Sequence, residues 1–372
     1  VYSMKDVNGG VLKDFDSTPD DEVSNDAGGL VYSFADDWLG GDGTTDEDDA
    51  DPATVSVFDL ALILTTDQQL PEKGEHDVLF HLTVCNQGTV AAHDIGVVYY
   101  MPSGLSLSPL DANAWFTMGG LLRNQLAGAL QPDDCRIQDV LLRVRPSALP
   151  NALLSVAEIS HAKDASGTDM SSHDWDSKSD LDPSNDAGGV VGSVYDNAMT
   201  GDGILDEDDA DPAQLQMLDL ALVKRYAENG SLLNGGSSAF EIEVHNQGNM
   251  SVRNVTIVDY IPQGMSVGLL SLQDGWTVNG NIAEYVINGS IAPQSVKYIQ
   301  MVLEHTGDID PAQLINRSEI AEVFANDLTD LSNYDFDSRP DRDPGNDAGG
   351  IPNTETDNVL NLDSTVDEDD AD

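Results

Sequence analysis

Basic residues are scarce: 16 Lys and Arg stand against 67 Asp and Glu in 372 residues, a formal net charge of -51 at pH 7. So acidic a chain repels nucleic acid and anionic membrane surfaces, and its natural partners are cations. Cysteine is nearly absent, with only Cys85 and Cys135. That count fits either a reducing compartment or an extracellular bacterial protein that does not rely on disulfides. Long apolar runs are missing as well, and Val1 opens a polar stretch without the charged start and apolar core of a signal peptide. No membrane insertion is expected from this segment. The seven histidines, at 76, 81, 93, 161, 173, 245 and 305, neither cluster nor recur at matching places, which argues against zinc.

What the chain does have is repetition. "NDAGG" begins at Asn25, Asn185 and Asn346, and "DEDDAD" at Asp46, Asp206 and Asp367. Between these acidic segments "DLAL" recurs at 59 and 219, "NQG" at 86 and 246, "YMPSG" against "YIPQG" at 100 and 260, and Trp115 against Trp276. Such long-period self-similarity marks a tandem array. The expected division is 1–13 as the tail of a preceding repeat, acidic segments at 14–51, 174–211 and 335–372, and folded repeats at 52–173 and 212–334. Neither end falls on a repeat boundary, so the expectation is a piece of a longer array.

Forty per cent hydrophobic residues suffice to build cores for the two folded repeats. "FHLTVCNQG" sets Phe80, Leu82 and Val84 against His81, Thr83 and Cys85, and "FEIEVHNQG" repeats the alternation with Phe240, Ile242 and Val244. Period two predicts half-buried strands. Further short runs rich in Val and Ile, punctuated by Gly, Pro, Asn and Asp, bring the expectation to about seven strands per copy. The predicted fold is all-β: tandem immunoglobulin-like Greek-key sandwiches joined by Asp-rich metal-binding loops. The stretch 121–130 reads either as a short helix or as a strand with a bulge.

The three acidic segments hold 39 Asp and Glu against three basic residues. A solvated, disordered linker would keep that composition and let the order drift. These copies instead keep D-[FW]-D-S, N-D-A-G-G and D-E-D-D-A-D, neutral residues included. Closely spaced carboxylates, with Ser and Asn oxygens and Gly at the turns, suit calcium, which takes six to eight oxygen ligands; magnesium is a weaker candidate. The candidate ligands in the first segment are Asp14, Asp16, Asp20, Asn25 and Asp26 in one cluster, with Asp42, Asp46, Asp48, Asp49 and Asp51 in the other. Their counterparts are Asp174, Asp176, Asp180, Asn185, Asp186, Asp202, Asp206, Asp208, Asp209 and Asp211 in the second segment. In the third they are Asp335, Asp337, Asp341, Asn346, Asp347, Asp363, Asp367, Asp369, Asp370 and Asp372.

On "DLAL", "VxNQGxxxxxxIxVxxYxPxG" and the following Trp115 and Trp276, the chain resembles the bacterial surface proteins that carry the domain-of-unknown-function-eleven repeat. The "DFDSTPDD…NDAGG…DEDDAD" segments look like the calcium-binding segments of large bacterial adhesins and of serine-aspartate-repeat surface proteins. The resemblance implies a secreted or surface-anchored chain that serves as stalk, adhesin or fibre, and it implies no chemistry.

Other residues carry narrower expectations. Cys85 and Cys135 lie in the first copy alone and are either a disulfide across an outer face or two free thiols. Lys224 stands in the first strand of the second copy, where the first copy has Leu64. At such a place some surface domains form a Lys-to-Asn isopeptide crosslink beside a buried acid. Trp115 and Trp276 read as packing residues, with a sugar platform as the sharper alternative. "NGS" at 229 and 288, "NVT" at 254 and "NRS" at 316 match the N-glycosylation acceptor pattern but read more simply as turns. No nucleophile, phosphate loop or HExxH pattern appears, so no enzyme is expected. The leading expectation is an extracellular or cell-surface structural protein whose partners are calcium and neighbouring repeats or identical subunits, head to tail. The alternatives are an adhesin whose sandwiches bind a carbohydrate or protein ligand of host or matrix and, behind it, a secreted hydrolase with calcium-stabilised modules.

Overall fold

The computed structural model describes residues 3–15, 17–18, 21–22, 28–39, 50–67, 70, 76–179, 181–184, 186–199, 208–228, 235–307, 315–339, 342–343, 358, 360 and 370–372. The chain divides into two compact units, residues 1–57 with 88–90, and residues 58–87 with 91–372. The first unit carries turns and an isolated bridge between Lys5 and Val11. Within it Thr89 Oγ1 accepts the Val57 amide at 2.9 Å, and Phe34 meets Trp38 edge to face at 6.1 Å.

Among the described residues the second unit is all-β apart from a three-residue helical turn (Pro150–Ala152) and one six-residue helix, and its sheets are antiparallel. The first copy supplies β1 (Leu60–Thr66), β2 (His76–Asn86), β3 (His93–Tyr100), β4 (Leu105–Leu107), β5 (Phe116–Met118), β6 (Leu121–Gln125), β7 (Cys135–Val144) and β8 (Leu154–Lys163). A ninth strand, β9 (Ala210–Gln214), comes from the end of the acidic segment. One sheet runs β1-β2-β7-β4 and the other β5-β6-β3-β8-β9. The expected alternation holds in β2 from Val78 to Val84, where Val78, Phe80, Leu82 and Val84 are buried and Leu79, His81 and Thr83 half-buried, but Cys85, expected on the polar side, is buried as well. Phe80 and Tyr99, from opposite sheets, meet edge to face at 5.8 Å across the core. The ambiguous stretch at 121–130 is the strand β6 followed by a turn at Gly128.

The second copy repeats the plan with β10 (Leu220–Glu228), β11 (Ser237–Asn246), β12 (Val252–Tyr260), β13 (Met265–Val267), β14 (Thr277–Asn279), β15 (Ile282–Ile291), β16 (Ser295–His305) and β17 (Arg317–Phe324). Its sheets run β10-β11-β16-β13 and β14-β15-β12-β17. Leu220, Leu222, Ile242, Val244, Met301 and Leu303 from one sheet pack on Val255, Ile257, Ala283, Ile287, Ile320 and Val323 from the other. A six-residue helix, α1 (Leu269–Asp274), has no counterpart in the sequence expectations. It is too short to show a helical stripe, and it closes on Gly275 at φ 115°, a left-handed cap that favours glycine.

Two motifs of the repeat are explained by packing. Trp115 and Trp276 are buried, and their indole N–H groups donate to the carbonyls of Asp139 and Gln300 at 2.6 and 2.9 Å. A buried Trp needs such a partner, and a ring so covered is no exposed sugar platform. Cys85 and Cys135 are direct partners across β2 and β7 and form a disulfide. It ties two neighbouring strands of one sheet.

Candidate metal centre

The site begins at Asp59 and Asp219, the first residues of "DLAL". Each sits just before the first strand of its copy, fixed by the "NQG" loop. The Gln87 amide donates to the Asp59 carbonyl at 2.9 Å. In the second copy the amides of Gln247 and Gly248 both donate to the Asp219 carbonyl, at 2.8 and 3.1 Å. Gly248 is required there, because a Cβ would lie 2.3 Å from the Met217 carbonyl oxygen. With the backbone held on both sides, the Asp side chain has little choice of direction.

The acidic segment that follows each copy folds back onto this aspartate. Asp174 Oδ2 accepts the Leu60 amide at 2.9 Å, and Phe58 forms a parallel bridge to Asp174. Asp335 Oδ2 accepts the Leu220 amide at the same distance, with the bridge running from Leu218. Each contact brings the first acidic cluster of a segment to the entry of the preceding copy's own first strand.

The result in the first copy is a group of carboxylates from Asp59, Asp174 and Asp176 whose oxygens lie within 4.8 Å of one another. Asp208, from "DEDDAD", joins them: it is 1% exposed and shares a hydrogen bond with the Asp176 carboxyl. Asp59 Oδ1 and Asp174 Oδ1 are buried without a donor. Burial pushes the Asp208 carboxyl up to about 9, with the charges of Asp176, Asp174 and Asp59 adding to the rise. Burial raises Asp174 to about 7 and, helped by Asp176, Asp59 to about 6.

The second copy buries the corresponding residues. Asp219 is fully buried with both oxygens lacking a donor, and burial, then Asp335 and Asp337, push its carboxyl well above the usual range. Asp335, raised by burial to about 7, Asp337 and Asp370 are buried in the same copy. Buried carboxylates in one place cannot all stay charged unless protons or a cation neutralise them.

The end of "DEDDAD", from Asp208 onward, is held by backbone pairing. The Leu62 amide donates to the Asp208 carbonyl at 2.7 Å and the Ile159 amide to the Asp209 carbonyl at 2.8 Å. β9 then continues along β8, with Ala210 opposite Glu158. The last three residues of the chain make the equivalent bonds to β17: Ile320 donates to the Asp370 carbonyl, and Ser318 and Asp372 exchange two bonds. Asp211 caps backbone instead of facing the cluster, accepting Leu64 N at 2.8 Å and Asn197 N at 2.8 Å. Asp372 Oδ2 accepts Lys224 N at 2.7 Å in the same way.

In the first unit Asp36, Asp37 and Asp51 form a second kind of group, with oxygens within 4.8 Å of one another on a largely exposed loop. Asp51 Oδ1 accepts Asp37 N at 3.1 Å, and Asp36 Oδ2 accepts Tyr32 N at 2.6 Å. The second segment keeps the loop: Asp211 accepts Asn197 N, and Asp196 Oδ2 accepts Gly192 N at 2.7 Å. Asp37, Asn197 and Asn358, at equivalent positions, all adopt φ near 58°.

Of the ligands expected from sequence, Asp174, Asp176 and Asp208 come together, Asp335, Asp337 and Asp370 are buried in the second copy, and Asp186 and Asp209 are buried in the first. Asp51 groups with Asp36 and Asp37, while Asp14 accepts the Phe15 amide in an exposed turn. Asp16, Asp20, Asn25, Asp26, Asp42, Asp46, Asp48, Asp49, Asp180, Asn185, Asp202, Asp206, Asp341, Asn346, Asp347, Asp363, Asp367 and Asp369 lie outside the described residues. Sequence reasoning missed Asp59, Asp219, Asp36 and Asp196. The signal for the first two was present: a charged residue opens an otherwise apolar "DLAL" in both copies, outside any acidic run. The signal for the others was the recurrence of Asp36, Asp196 and Asp357 inside a stretch read as variable.

Every side-chain donor in these groups is a carboxylate oxygen, with serine hydroxyls beside them. Such a set fits a hard cation and offers nothing to a metal that prefers sulfur or imidazole. No protein-family model matches the chain, and no curated protein sequence matches it. Among solved structures, the Fcho1 Mu homology domain of Danio rerio with bound Eps15 peptide is similar at 6% identity and a TM-score of 0.25, over 72% of this chain and 83% of that one. At that score the likeness carries no argument.

Proposed function

We propose that this chain is a structural repeat protein of the extracellular space or bacterial surface, in which calcium clamps each acidic segment onto the sandwich before it. The observation that carries the reading is the convergence of Asp59, Asp174 and Asp176 with buried Asp208 in the first copy, the corresponding Asp219, Asp335, Asp337 and Asp370 being buried in the second. On this reading the sandwiches are immunoglobulin-like Greek-key modules, and the chain is a stalk or filament segment with no catalytic activity.

The mechanism follows from electrostatics. Without a cation, the carboxylates repel one another and oppose docking of "DEDDAD" beside the first and last strands of its sandwich. With calcium bound, charge is neutralised and the segment is drawn in, so that β9 completes the sheet and the next sandwich starts at a fixed place. Chain length between sandwiches is then set by folded structure rather than by the extension of a polyanion. Neighbouring repeats or subunits, head to tail, would use the same joint. The Cys85–Cys135 disulfide supports an oxidising compartment.

Calorimetric titration of the chelator-treated chain with calcium, with magnesium as control, tests the reading, and scattering reports the dimensions in each state. Binding at roughly 10⁻⁴ to 10⁻³ M, the range of extracellular modules, together with a shorter and stiffer particle is the expected outcome. Absence of calcium binding sinks it.

A further inference from the structure

The second sandwich holds a polar triad that the metal site does not use. Lys224 lies on β10, Asp259 on β12 in the facing sheet, and Asn316 immediately before β17. Lys224 Nζ donates to Asp259 Oδ2 at 2.5 Å and to Ser318 Oγ at 2.9 Å. Asn316 Nδ2 donates to the other oxygen of the same carboxylate, Asp259 Oδ1, at 2.7 Å, and to the Tyr260 carbonyl at 3.2 Å. An amine and a carboxamide are thus seated side by side on one carboxylate.

The place is dry. The Lys224 and Asp259 side chains are 3% and 0% exposed, Nζ lies 4.9 Å from the centre of the Phe240 ring, and Asn316 Oδ1 is buried with no donor. Burial holds the Lys224 ammonium below the ordinary lysine range, against the opposing pull of Asp259.

The fold does not need these groups. By strand register the first sandwich has Leu64, Tyr99 and Ser155 where the second has Lys224, Asp259 and Asn316. All three positions change together, and a buried ion pair alone is no better for stability than well-packed apolar residues. Asn316 satisfies the second oxygen of the buried Asp259 carboxylate, and the same contact places its carboxamide beside the Lys224 amine. The first sandwich carries the Cys85–Cys135 bond, and the second has His245 and Val296 at those positions. Each sandwich thus has one place suited to a covalent tie, by different chemistry.

We propose that Lys224 and Asn316 form an intramolecular isopeptide bond, with Asp259 carrying the protons. Asp259 takes a proton from the Lys224 ammonium, and the neutral Nζ attacks Asn316 Cγ. The Nζ–Cγ bond forms and the Cγ–Nδ2 bond breaks. A further Nζ proton passes through the Asp259 carboxyl to Nδ2, which departs as ammonia. Asp259 is left protonated, as a donor to the new amide. No oxidant or cofactor is consumed, and the bond joins β10 of one sheet to the entry of β17 in the other.

Intact-mass spectrometry of the full chain, reduced and denatured, is the test. The expected mass is lighter than the sequence by one ammonia, and a tandem spectrum joins the peptide containing Lys224 to the one containing Asn316. Lys224→Arg and Asp259→Asn should each restore the full sequence mass. A wild-type chain of full mass overturns the proposal without recourse to any variant. So does an ammonia loss that persists in Lys224→Arg, which would mark a succinimide at an asparagine.

Discussion

The amide of Leu60 and the carboxylate of Asp174, 114 residues apart in sequence, meet at 2.9 Å, and Leu220 and Asp335 repeat the contact at 2.9 Å. This contact makes the acidic segment part of the sandwich that precedes it. Once Asp174 is fixed there, its other oxygen, Asp59 and Asp176 are brought within 4.8 Å of one another, and Ala210 and Asp211 pair along β8. The calcium clamp is an inference from that convergence.

Stability should depend on pH without calcium and lose that dependence with it. Asp208, Asp174 and Asp59 have folded-state values of about 9, 7 and 6, above the ordinary 3.8. A carboxyl raised on folding contributes stability that is fully present below its unfolded value and is lost as pH rises through the folded one. In chelator the unfolding free energy, and with it the melting temperature, should therefore fall between about pH 4 and pH 9, by about 1.4 kcal/mol per pH unit for each proton the folded state holds and the unfolded state lacks. Saturating calcium should abolish the fall, because the ion replaces the protons. A melt that is flat with pH in chelator would show that these carboxyls are not held as described.

Asp219→Asn should change sign with the ion. Asp219 is fully buried with no donor on either oxygen. In chelator the amide removes a buried carboxyl whose ionisation beside Asp335 and Asp337 is opposed, and should raise the melting temperature of the second sandwich, most at alkaline pH. In calcium it removes a ligand, and affinity should drop at least tenfold. A variant that is destabilised equally in both conditions would mean that the side chain serves packing alone.

The sequence made the strands and the repeat legible because both are local patterns: period two in β2 and β11, and motifs returning after a fixed interval. It also marked Asp174, Asp208 and Asp335 as unusual, since their order was kept along with their charge. It did not reveal which partner those acids would find. Asp59 sits far from them along the chain, and only the turn of the "NQG" loop and the return of the segment bring them together. Lys224 stood out as a charge in an apolar strand, yet Asp259 and Asn316 could be matched to it only after the strand register was known.

Gly248→Ala should damage the metal centre without touching a carboxylate. Its Cβ would fall 2.3 Å from the Met217 carbonyl oxygen and 3.1 Å from the Asp219 amide nitrogen, both backbone atoms that cannot rotate away. The loop must shift, and Asp219 shifts with it. Weaker calcium binding in the second copy and unchanged binding in the first, resolved by two-site titration, is the expected result.

Asp211→Ala tests whether the end of "DEDDAD" acts as a structural cap. Its two oxygens accept the amides of Leu64 and Asn197, each at 2.8 Å, and the residue is 1% exposed. Removal leaves two amides without their acceptor, at a cost of about 2 kcal/mol or more. The loss should appear in chelator and in calcium alike, since neither oxygen is turned to the ion cluster. Asp211→Asn keeps one acceptor oxygen and should recover part of the loss. If instead the alanine variant melts normally in chelator and fails only in calcium, Asp211 is a ligand and the assignment of the clamp to Asp59, Asp174, Asp176 and Asp208 must be widened to include it.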